Sequence, residues 1–427
     1  MKIRISQMFL IVATFLLNIA YGAQQNYYVV SLDTLGGTTA AATSVNNNGL
    51  ISGFSNLPGD ETTQVVMWLN GTGSPIPLGT LGGPNSSMAW PVKNNDGLIV
   101  GFAETDTPDP NNEAWSCSFF FPTVTNLICK GFAYQNGVMS ALPAFPGGNN
   151  SYAAGANGNY QIVGWAENGV HDPSCVSPQV LQFRAAVWGP AAGQMQELPP
   201  YTGDSVSSAT AINNNGQVVG ISGICDIAVG RFSGKHAVMW DKGKVINLAD
   251  FPVPSWNTPA AINQQGDVVG FANTPGATLG GFRPKAFIWT KKNGLQYINP
   301  LSGDTRSIAY AINTRGQVVG QSYGPNGAHA FIWQGGAAID LNTLAQPGAL
   351  PLVYAQDIND SGEIIGQAFD PDTGELVPFK ATPPTAGIAA AIENARLEGR
   401  TSPKIVLPEK VMKKILQRAA GRLAEVQ

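Results

Sequence analysis

One short motif recurs seven times along this chain and constrains the fold more than any other feature of the sequence. Its clearest copies read INNNGQVVG at residues 212–220 and INTRGQVVG at 312–320, while the copies at 92–101 and 156–164 are degenerate. Every copy ends in glycine, at positions 53, 101, 164, 220, 270, 320 and 366. Two β-type runs flank an Asn/Gly-rich centre that tolerates positive φ angles, so each copy predicts a tight β-hairpin.

Two further runs follow each hairpin. The third run usually ends in Trp, as in HAFIW (329–333), and the fourth carries Leu and a turn, as in PLGTLGG (77–83). The seventh copy lacks a fourth run, but an unpaired run of this type stands at residues 27–37. Four strands in seven units, one of them circularly displaced, predict an all-β fold: a seven-bladed β-propeller over residues 24–384, closed by its N-terminal strand.

Some of these motifs are similar to known repeats. HAFIW at 329–333 is preceded by AYAIN at 309–313 and GQVVG at 316–320, and LGTLGG stands at 78–83. Together they resemble the HAF family of bacterial extracellular repeat proteins, which is named after its His-Ala-Phe tripeptide. The resemblance covers residues 27–382 and implies export and a repeat fold, but it brings no established activity and no catalytic residues.

The first 23 residues are typical of a signal peptide. Lys2 and Arg4 precede a mostly apolar stretch at residues 8–20, and small residues then offer a cleavage site after Gly22 or Ala23. We therefore expect a secreted protein, extracellular or periplasmic, with no transmembrane span in the mature chain.

Residues 385–427 form a tail with a different charge balance. The whole sequence has 24 Lys and Arg against 28 Asp and Glu, but this tail has eight basic residues and four acidic ones. Val411, Ile415 and Leu423 belong to an apolar series at helical spacing, with cations between its members. We interpret the tail as a basic amphipathic helix, which either packs on the acidic body or docks a partner or a membrane surface.

Three residue types recur at fixed places in the repeats. An Asn opens each turn, with either Lys93 or Asn94 in that place in the second copy, and a structural role is favoured because a short amide can bond its own backbone. A Trp ends most third runs and is expected to pack between blades. A basic residue often opens the third run, and these residues either form an anion-binding ring or, as we favour, bond neighbouring loops. They are Lys130, Arg184, His236, Lys285 and His329.

The links between the second and third runs are long and variable, and they open on one face, which we call the long-loop face. All four cysteines lie in or beside these links. One pair shares a loop and the other spans adjacent blades, so we predict the disulfides Cys117–Cys129 and Cys175–Cys225. Free buried thiols are the alternative, although export permits disulfides.

Aromatic residues are frequent on the long-loop face, which makes it the predicted binding site. Aromatic rings near a propeller mouth can stack on sugars or grip peptides. For each ring taken singly, packing in the core or rim is the alternative. The candidate ligand-binding residues are Trp90, Trp115, Tyr152, Trp165, Tyr201, Trp256, Tyr310 and Tyr323.

The sequence gives little indication of catalysis, of a metal site or of a cofactor. GQSYG at 320–324 matches the nucleophile elbow of hydrolases, but that motif needs a following helix, and here another predicted strand follows. Asp370 and Asp372 alternate as in some calcium loops, although Pro-Asp-Thr-Gly is also an ordinary β-turn. We therefore predict no catalytic residue and no cofactor, and no metal site beyond this calcium candidate.

Three hypotheses for function follow. The first is an exported, non-catalytic propeller that binds a glycan, a peptide or a surface protein through the long-loop face. The second is a hydrolase or lyase acting on polysaccharide at the central channel. The third is a structural piece that docks a partner through the basic tail. Nucleic acid is not expected, since charged residues make up 12% of the chain and no basic patch dominates it.

Overall fold

The computed structural model describes residues 26–71, 73–113, 116–226, 230–276, 281–325 and 327–420. The predicted signal peptide, residues 1–23, lies outside them. The described strands form seven antiparallel four-stranded sheets, which are the blades of a β-propeller. In most blades the first strand lies next to the first strands of the adjacent blades, around a central channel. The predicted all-β, seven-bladed fold is confirmed.

The strands are numbered in chain order, beginning with β1 (Tyr28–Ser31), which belongs to the last blade. Blade 1 contains β2 (Ala40–Val45), β3 (Ile51–Asn56), β4 (Thr63–Trp68) and β5 (Ile76–Pro77). Blade 2 contains β6 (Gly82–Ser87), β7 (Ile99–Pro108), β8 (Leu127–Gln135) and β9 (Val138–Ala141). Blade 3 contains β10 (Ser151–Ala156), β11 (Ile162–His171), β12 (Leu181–Trp188) and β13 (Met195–Leu198).

The remaining blades follow the same plan. Blade 4 contains β14 (Val206–Ile212), β15 (Val218–Gly223), β16 (His236–Asp241) and β17 (Lys244–Asn247). Blade 5 contains β18 (Thr258–Ile262), β19 (Val268–Asn273), β20 (Pro284–Thr290) and β21 (Gly294–Ile298). Blade 6 contains β22 (Arg306–Ile312), β23 (Val318–Gly324), β24 (Gly327–Gln334) and β25 (Ala337–Asp340). Blade 7 contains β26 (Leu352–Ile358), β27 (Ile364–Asp370), β28 (Glu375–Thr382) and β1.

The N-terminal strand closes the ring, as predicted. β1 pairs antiparallel with β28, with Tyr28 opposite Thr382 and Ser31 opposite Phe379. The Gln346 side chain adds two bonds, accepting from the Val29 N–H at 2.7 Å and donating to the Val29 carbonyl at 2.8 Å. Closure by the displaced strand leaves no open end in the row of blades.

The last residue of each repeat is glycine because the backbone of the first strand passes very close to it. In blades 1 and 3–7 the first strand carries a β-bulge, as between Ala309 and Ala311. The closing glycine lies beside it, and a Cβ at Gly320 would be 2.0 Å from the carbonyl oxygen of Ile308. Because no Cβ fits at that distance, a larger residue would displace the innermost strand.

The repeated Asn residues form a closed ring at the short-turn face. In every blade the Asn Oδ1 accepts two backbone N–H bonds from its own turn, as in Asn313, where the donors are Arg315 and Gln317, each at 3.0 Å. Each Nδ2 also donates to the carbonyl of the next Asn at 2.8–3.3 Å, in the order Asn46, Asn94, Asn157, Asn213, Asn263, Asn313, Asn359 and back to Asn46. The structural role is confirmed, and Asn94 holds this place in the second repeat.

The Trp residues that end the third strands join each blade to the one before it. Trp68, Trp188 and Trp240 are buried, whereas Trp289 and Trp333 are half-buried. The three buried rings donate their indole N–H groups across the blade boundary: Trp68 to the Asp33 carbonyl at 3.0 Å, Trp188 to the Pro143 carbonyl at 3.0 Å, and Trp240 to the Pro199 carbonyl at 2.7 Å. The predicted packing between blades is therefore confirmed for the buried rings.

β28 ends near the short turn of blade 7, where Pro383 lies beside Gly362, and the chain reaches the long-loop face later, through the segment that contacts His329. The short helix α1 (Leu341–Leu344) follows β25, and α2 (Ile388–Leu397) packs in the same cluster through Ala391 and Ala395. Residues 398–408, which we call the strap, then pass over blade 6 to α3 (Glu409–Ala420). Two 3₁₀ turns, Leu69–Gly71 and Ser116–Phe120, complete the described elements. None of the described helices has the length and apolar character needed to span a membrane.

Candidate binding site on the long-loop face

The long-loop face carries both disulfides, and their predicted pairing is confirmed. Cys117–Cys129 joins the link after β7 to β8, within blade 2. Cys175–Cys225 joins the corresponding links of blades 3 and 4. One disulfide therefore cross-links the long link of blade 2 to its own strand, and the other joins the links of blades 3 and 4.

The mouth of the central channel on this face is filled by α3. Val411 and Ile415 are buried, in one apolar cluster with Phe54, Phe271 and Tyr310. The tail thus packs on the body, one of the two arrangements expected for it.

A basic side chain of α3 also contacts the propeller. The Lys414 ammonium donates to the Thr39 hydroxyl at 2.7 Å, near the rim of blade 1. Burial lowers the pKa of Lys414, and the charge of Asp60 opposes that shift. The mouth therefore combines an apolar floor with one carboxylate, Asp60, beside Lys414, and it holds a helix that is apolar on one side and basic on the other.

Six of the eight predicted ligand-binding aromatics are buried. They are Trp90, Tyr152, Trp165, Trp256, Tyr310 and Tyr323. Tyr201 is half-buried, and Trp115 lies outside the described residues. Trp90 and Tyr310 line a small cavity together with Ile415, so they lie directly beside α3. Their role in ligand binding remains a prediction, and a ligand would reach these two rings only after α3 moves.

Tyr323 shares the apolar cluster of α3, whereas Tyr152 and Trp165 belong to a second cluster. Phe102, Tyr152 and Trp165 form a continuous stack, with ring centroids 4.3 Å and 3.9 Å apart. This stack lies in one cluster with Cys117 and Cys129. It stiffens blades 2 and 3 beneath the disulfide.

Blades 4 and 6 hold the same constellation of His, Asp and Ser. In blade 6, Ser322 donates to Asp304 Oδ2 at 2.7 Å, and His329 Nδ1 lies 3.2 Å from the same oxygen. In blade 4, Ser222 and His236 meet Asp204 Oδ2 at 2.8 Å and 2.7 Å. The Asp stands between His and Ser in both sets, whereas a hydrolytic triad places His in the middle.

GQSYG is repeat sequence, as interpreted. Residues 320–324 lie within β23, and strand β24 follows. The Ser322 hydroxyl also accepts the backbone N–H of Leu301 at 3.0 Å. Ser322 therefore links two segments of blade 6.

The basic residues that open the third strands bond nearby loops, blade by blade. Lys130 donates to the Asn149 carbonyl and Arg184 to the Ser205 carbonyl, in both cases in the segment that leads into the next blade. Lys285 lies over the Tyr297 ring, with its ammonium 5.4 Å from the centroid. The favoured interpretation is confirmed for Lys130, Arg184, His236 and His329, whereas the partner of Lys285 lies in strand β21.

A buried group of carboxylates between blades 2 and 3 was missed by sequence reasoning. Glu167 accepts the backbone N–H groups of Asn149 and Asn150 at 3.0 Å and 2.9 Å. Burial raises the pKa of Glu167 well above its ordinary value, and the hydrogen bond and charge of Glu113 raise it further. Glu104 holds the equivalent place in the preceding repeat, so the recurrence of GFAE and GWAE was the available signal.

The calcium candidate forms a tight turn between β27 and β28. Asp370 Oδ1 accepts the backbone N–H of Asp372 at 2.9 Å, and the Asp370 carbonyl accepts that of Gly374 at 2.8 Å. Calcium binding by Asp370 and Asp372 remains a prediction. Among the described residues, Asp172, Cys175 and Cys225 also lie within metal-ligating distance of one another, but both sulfurs are joined in a disulfide.

Comparison with known proteins finds similarity in solved structures alone. The chain matches no protein-family model and no curated protein. Virginiamycin B lyase from Staphylococcus aureus is 13% identical, with 83% of this chain and 99% of that one covered and a TM-score of 0.47. The β-propeller domain of the Trilobed protease from Pyrococcus furiosus is 11% identical, with 84% and 94% covered and a TM-score of 0.46. TolB from Acinetobacter baumannii is 14% identical, with 67% and 61% covered and a TM-score of 0.38.

Proposed function

We propose that this protein is an exported, non-catalytic propeller whose long-loop mouth receives an amphipathic basic helix of a protein partner. One observation carries the proposal: a helix of this kind, α3, occupies the mouth, with Val411 and Ile415 buried against the channel rim. Insertion of an amphipathic helix into an apolar groove is a recurring mode of peptide recognition. The chain's own tail is then a ligand held in cis.

The surroundings of α3 offer room for a longer apolar side chain. A cavity of about 290 Å³ lies beside the helix, lined by Phe54, Phe119, Phe120 and Lys410 among others. Phe119 and Phe120 are half-buried and belong to the link of blade 2. A partner helix could fill this space better than α3 does, and so compete with it.

This proposal selects among the ligands that the sequence left open. The side chains around α3 at the mouth are mainly apolar, aromatic and amide groups, including Trp90 and Gln356. Such a lining favours a helical peptide over a polysaccharide-cleaving site. The two disulfides are typical of proteins outside the reducing cytosol and support the extracellular or periplasmic location.

The experiment uses the full chain with α3 driven out of the mouth by V411D/I415D. The probe is a fluorescein-labelled peptide of residues 406–420, titrated and followed by anisotropy. The tethered helix competes at high effective concentration, so the peptide should bind the double variant at least about tenfold more tightly than the unaltered protein.

The matched control is K413A, because Lys413 lies on α3 but is exposed. This variant should behave like the unaltered protein. If a folded V411D/I415D protein does not bind the peptide, the mouth does not recognise a separate helix and the proposal fails. A parallel screen of glycans against the double variant would, if positive where the peptide is negative, reassign the ligand to a sugar.

A further inference from the structure

His329 joins the strap to the propeller. Its side chain is 3% exposed, with Nδ1 3.2 Å from Asp304 Oδ2 and Nε2 2.9 Å from the carbonyl oxygen of Pro403. Pro403 lies in the strap, six residues before α3 begins at Glu409. One ring therefore connects blade 6 with the segment that leads to the mouth.

Both partners of this ring are hydrogen-bond acceptors. The Pro403 carbonyl cannot donate, and Asp304 Oδ2 already accepts the Ser322 hydroxyl at 2.7 Å. A neutral imidazole has a single N–H group, whereas the imidazolium has two. Both contacts are therefore satisfied together in the protonated form, and the neutral ring leaves one of the two oxygens without its bond.

The strap lies so close to blade 6 that only glycine fits at position 327. A Cβ at Gly327 would lie 1.8 Å from the carbonyl oxygen of Ile405, so the strap fits against β24 because residue 327 is glycine. Ile405 is buried in the same cluster as Val411 and Ile415. The strap and α3 thus pack as one continuous unit, and a change at His329 reaches the helix.

We propose that His329 is a proton-dependent latch, which holds the strap and α3 over the mouth when protonated and releases them when it loses its proton. The consequence for partner binding rests on the proposed function, but the latch itself does not. Release frees the mouth at higher pH, so an incoming helix meets less competition from α3 there.

The charged groups around the His329 ring determine in which direction its pKa is shifted. Burial lowers the pKa of His329, but the hydrogen bond to Asp304 and the charge of Asp340 outweigh it, and the pKa is raised above its ordinary value. Lys404, of like charge, lines a cavity of about 440 Å³ beside the ring together with Asp304. A raised histidine pKa means that the contact is fully present below the ordinary value and is lost as the pH rises through the raised one.

The test is hydrogen exchange of the full chain between pH 6 and pH 9, corrected for the intrinsic pH dependence of amide exchange. Amides of residues 401–415 should lose protection as His329 titrates, by about tenfold for each unit by which its pKa is raised. An NMR titration of the His329 ring should have the same midpoint. Separate midpoints, or protection that does not change with pH, would overturn the latch.

Two variants and an internal control complete the design. H329Q should show fast exchange of the strap at pH 6 and no pH dependence, whereas D304N should move the midpoint to lower pH. The control is H236Q, because blade 4 holds the same His–Asp–Ser set. If H236Q abolishes the pH dependence as H329Q does, the effect is general destabilisation and the latch is rejected.

This experiment contains no peptide, so its outcome is independent of the test of function. A pH-dependent strap on a mouth that binds no peptide would keep the latch and reject the proposed function. Peptide binding to V411D/I415D with a pH-independent strap in the unaltered protein would do the reverse.

Discussion

The two halves of the long-loop face are held by different chemistry. Around blades 2–4 the links are joined by the disulfides Cys117–Cys129 and Cys175–Cys225. Around blades 6, 7 and 1 the strap and α3 cover the face through apolar packing, hydrogen bonds and a histidine contact. The disulfides hold the first half at any pH the fold survives, whereas these contacts of the strap and α3 are noncovalent and lie outside the strand pairing of the blades.

The matching His–Asp–Ser sets sharpen this contrast. The His236 side chain in the disulfide half is 21% exposed, against 3% for His329 beneath the strap. The Lys235 ammonium lies 3.5 Å from Asp204 and is itself partly exposed. Water can therefore reach His236 in blade 4, although Ser222 and Asp204 are buried there, while His329 in blade 6 depends on the strap for its second hydrogen bond.

The largest expected difference between the halves comes from removing the central Asp of each set. D304A removes the acceptor of two buried groups, the His329 ring and the Ser322 hydroxyl, and should lower the free energy of unfolding by about 3–5 kcal/mol at pH 6. D204A leaves groups that water can solvate and should cost about 1–2 kcal/mol. Urea denaturation of both variants measures the difference, and equal losses would show that the strap does not isolate His329 from solvent.

The next effect concerns the covalent half. C175S/C225S removes a cross-link between residues 50 apart in the sequence and should lower the free energy of unfolding by about 2–4 kcal/mol. Hydrogen exchange should increase in residues 172–180, 224–226 and 230–235, while the protection of residues 401–415 stays as it is. Loss of strap protection in this variant would mean that the two halves are coupled, and that the division drawn here is wrong.

The propeller could be predicted because its determinants are local and repeated. The Asn-Gly turns, the closing glycines and the displaced run at 27–37 each mark one strand or turn, and seven copies reinforce one another. The disulfide pairs followed from the register of the links in the repeats. Each of these signals lies within one or two blades of the residue it positions.

The candidate site depends on contacts between residues far apart in the chain. Ile415 packs in one cluster with Phe54 and Phe271, and His329 meets Pro403. The tail lies outside the repeats, so its periodicity predicted a helix but no place for it. The aromatic series was likewise visible, but its burial follows from the path of the tail and from stacking between blades, which one-dimensional spacing does not encode.

The smallest expected difference in unfolding free energy between the two halves lies at the short-turn face, where equivalent substitutions should cost the same. Asn213 and Asn313 each accept two backbone N–H bonds in their own turns and donate to the next Asn carbonyl, at 3.0 Å and 3.1 Å respectively. N213A and N313A should each cost about 1–3 kcal/mol of unfolding free energy, because buried backbone donors lose their acceptor. The two losses, measured by urea denaturation, should agree within about 0.5 kcal/mol, the tolerance expected of independent equivalent sites.

If N213A and N313A lose the same unfolding free energy, the difference between blades 4 and 6 lies outside the Asn ring. The Asn ring runs through all seven blades without a break, so its hydrogen bonds are the same in blades 4 and 6. A larger loss for N313A would place part of the asymmetry in blade 6 itself, and the strap would then compensate for a weak blade. Equal losses leave the covering of the long-loop face as the source of the difference between D304A and D204A.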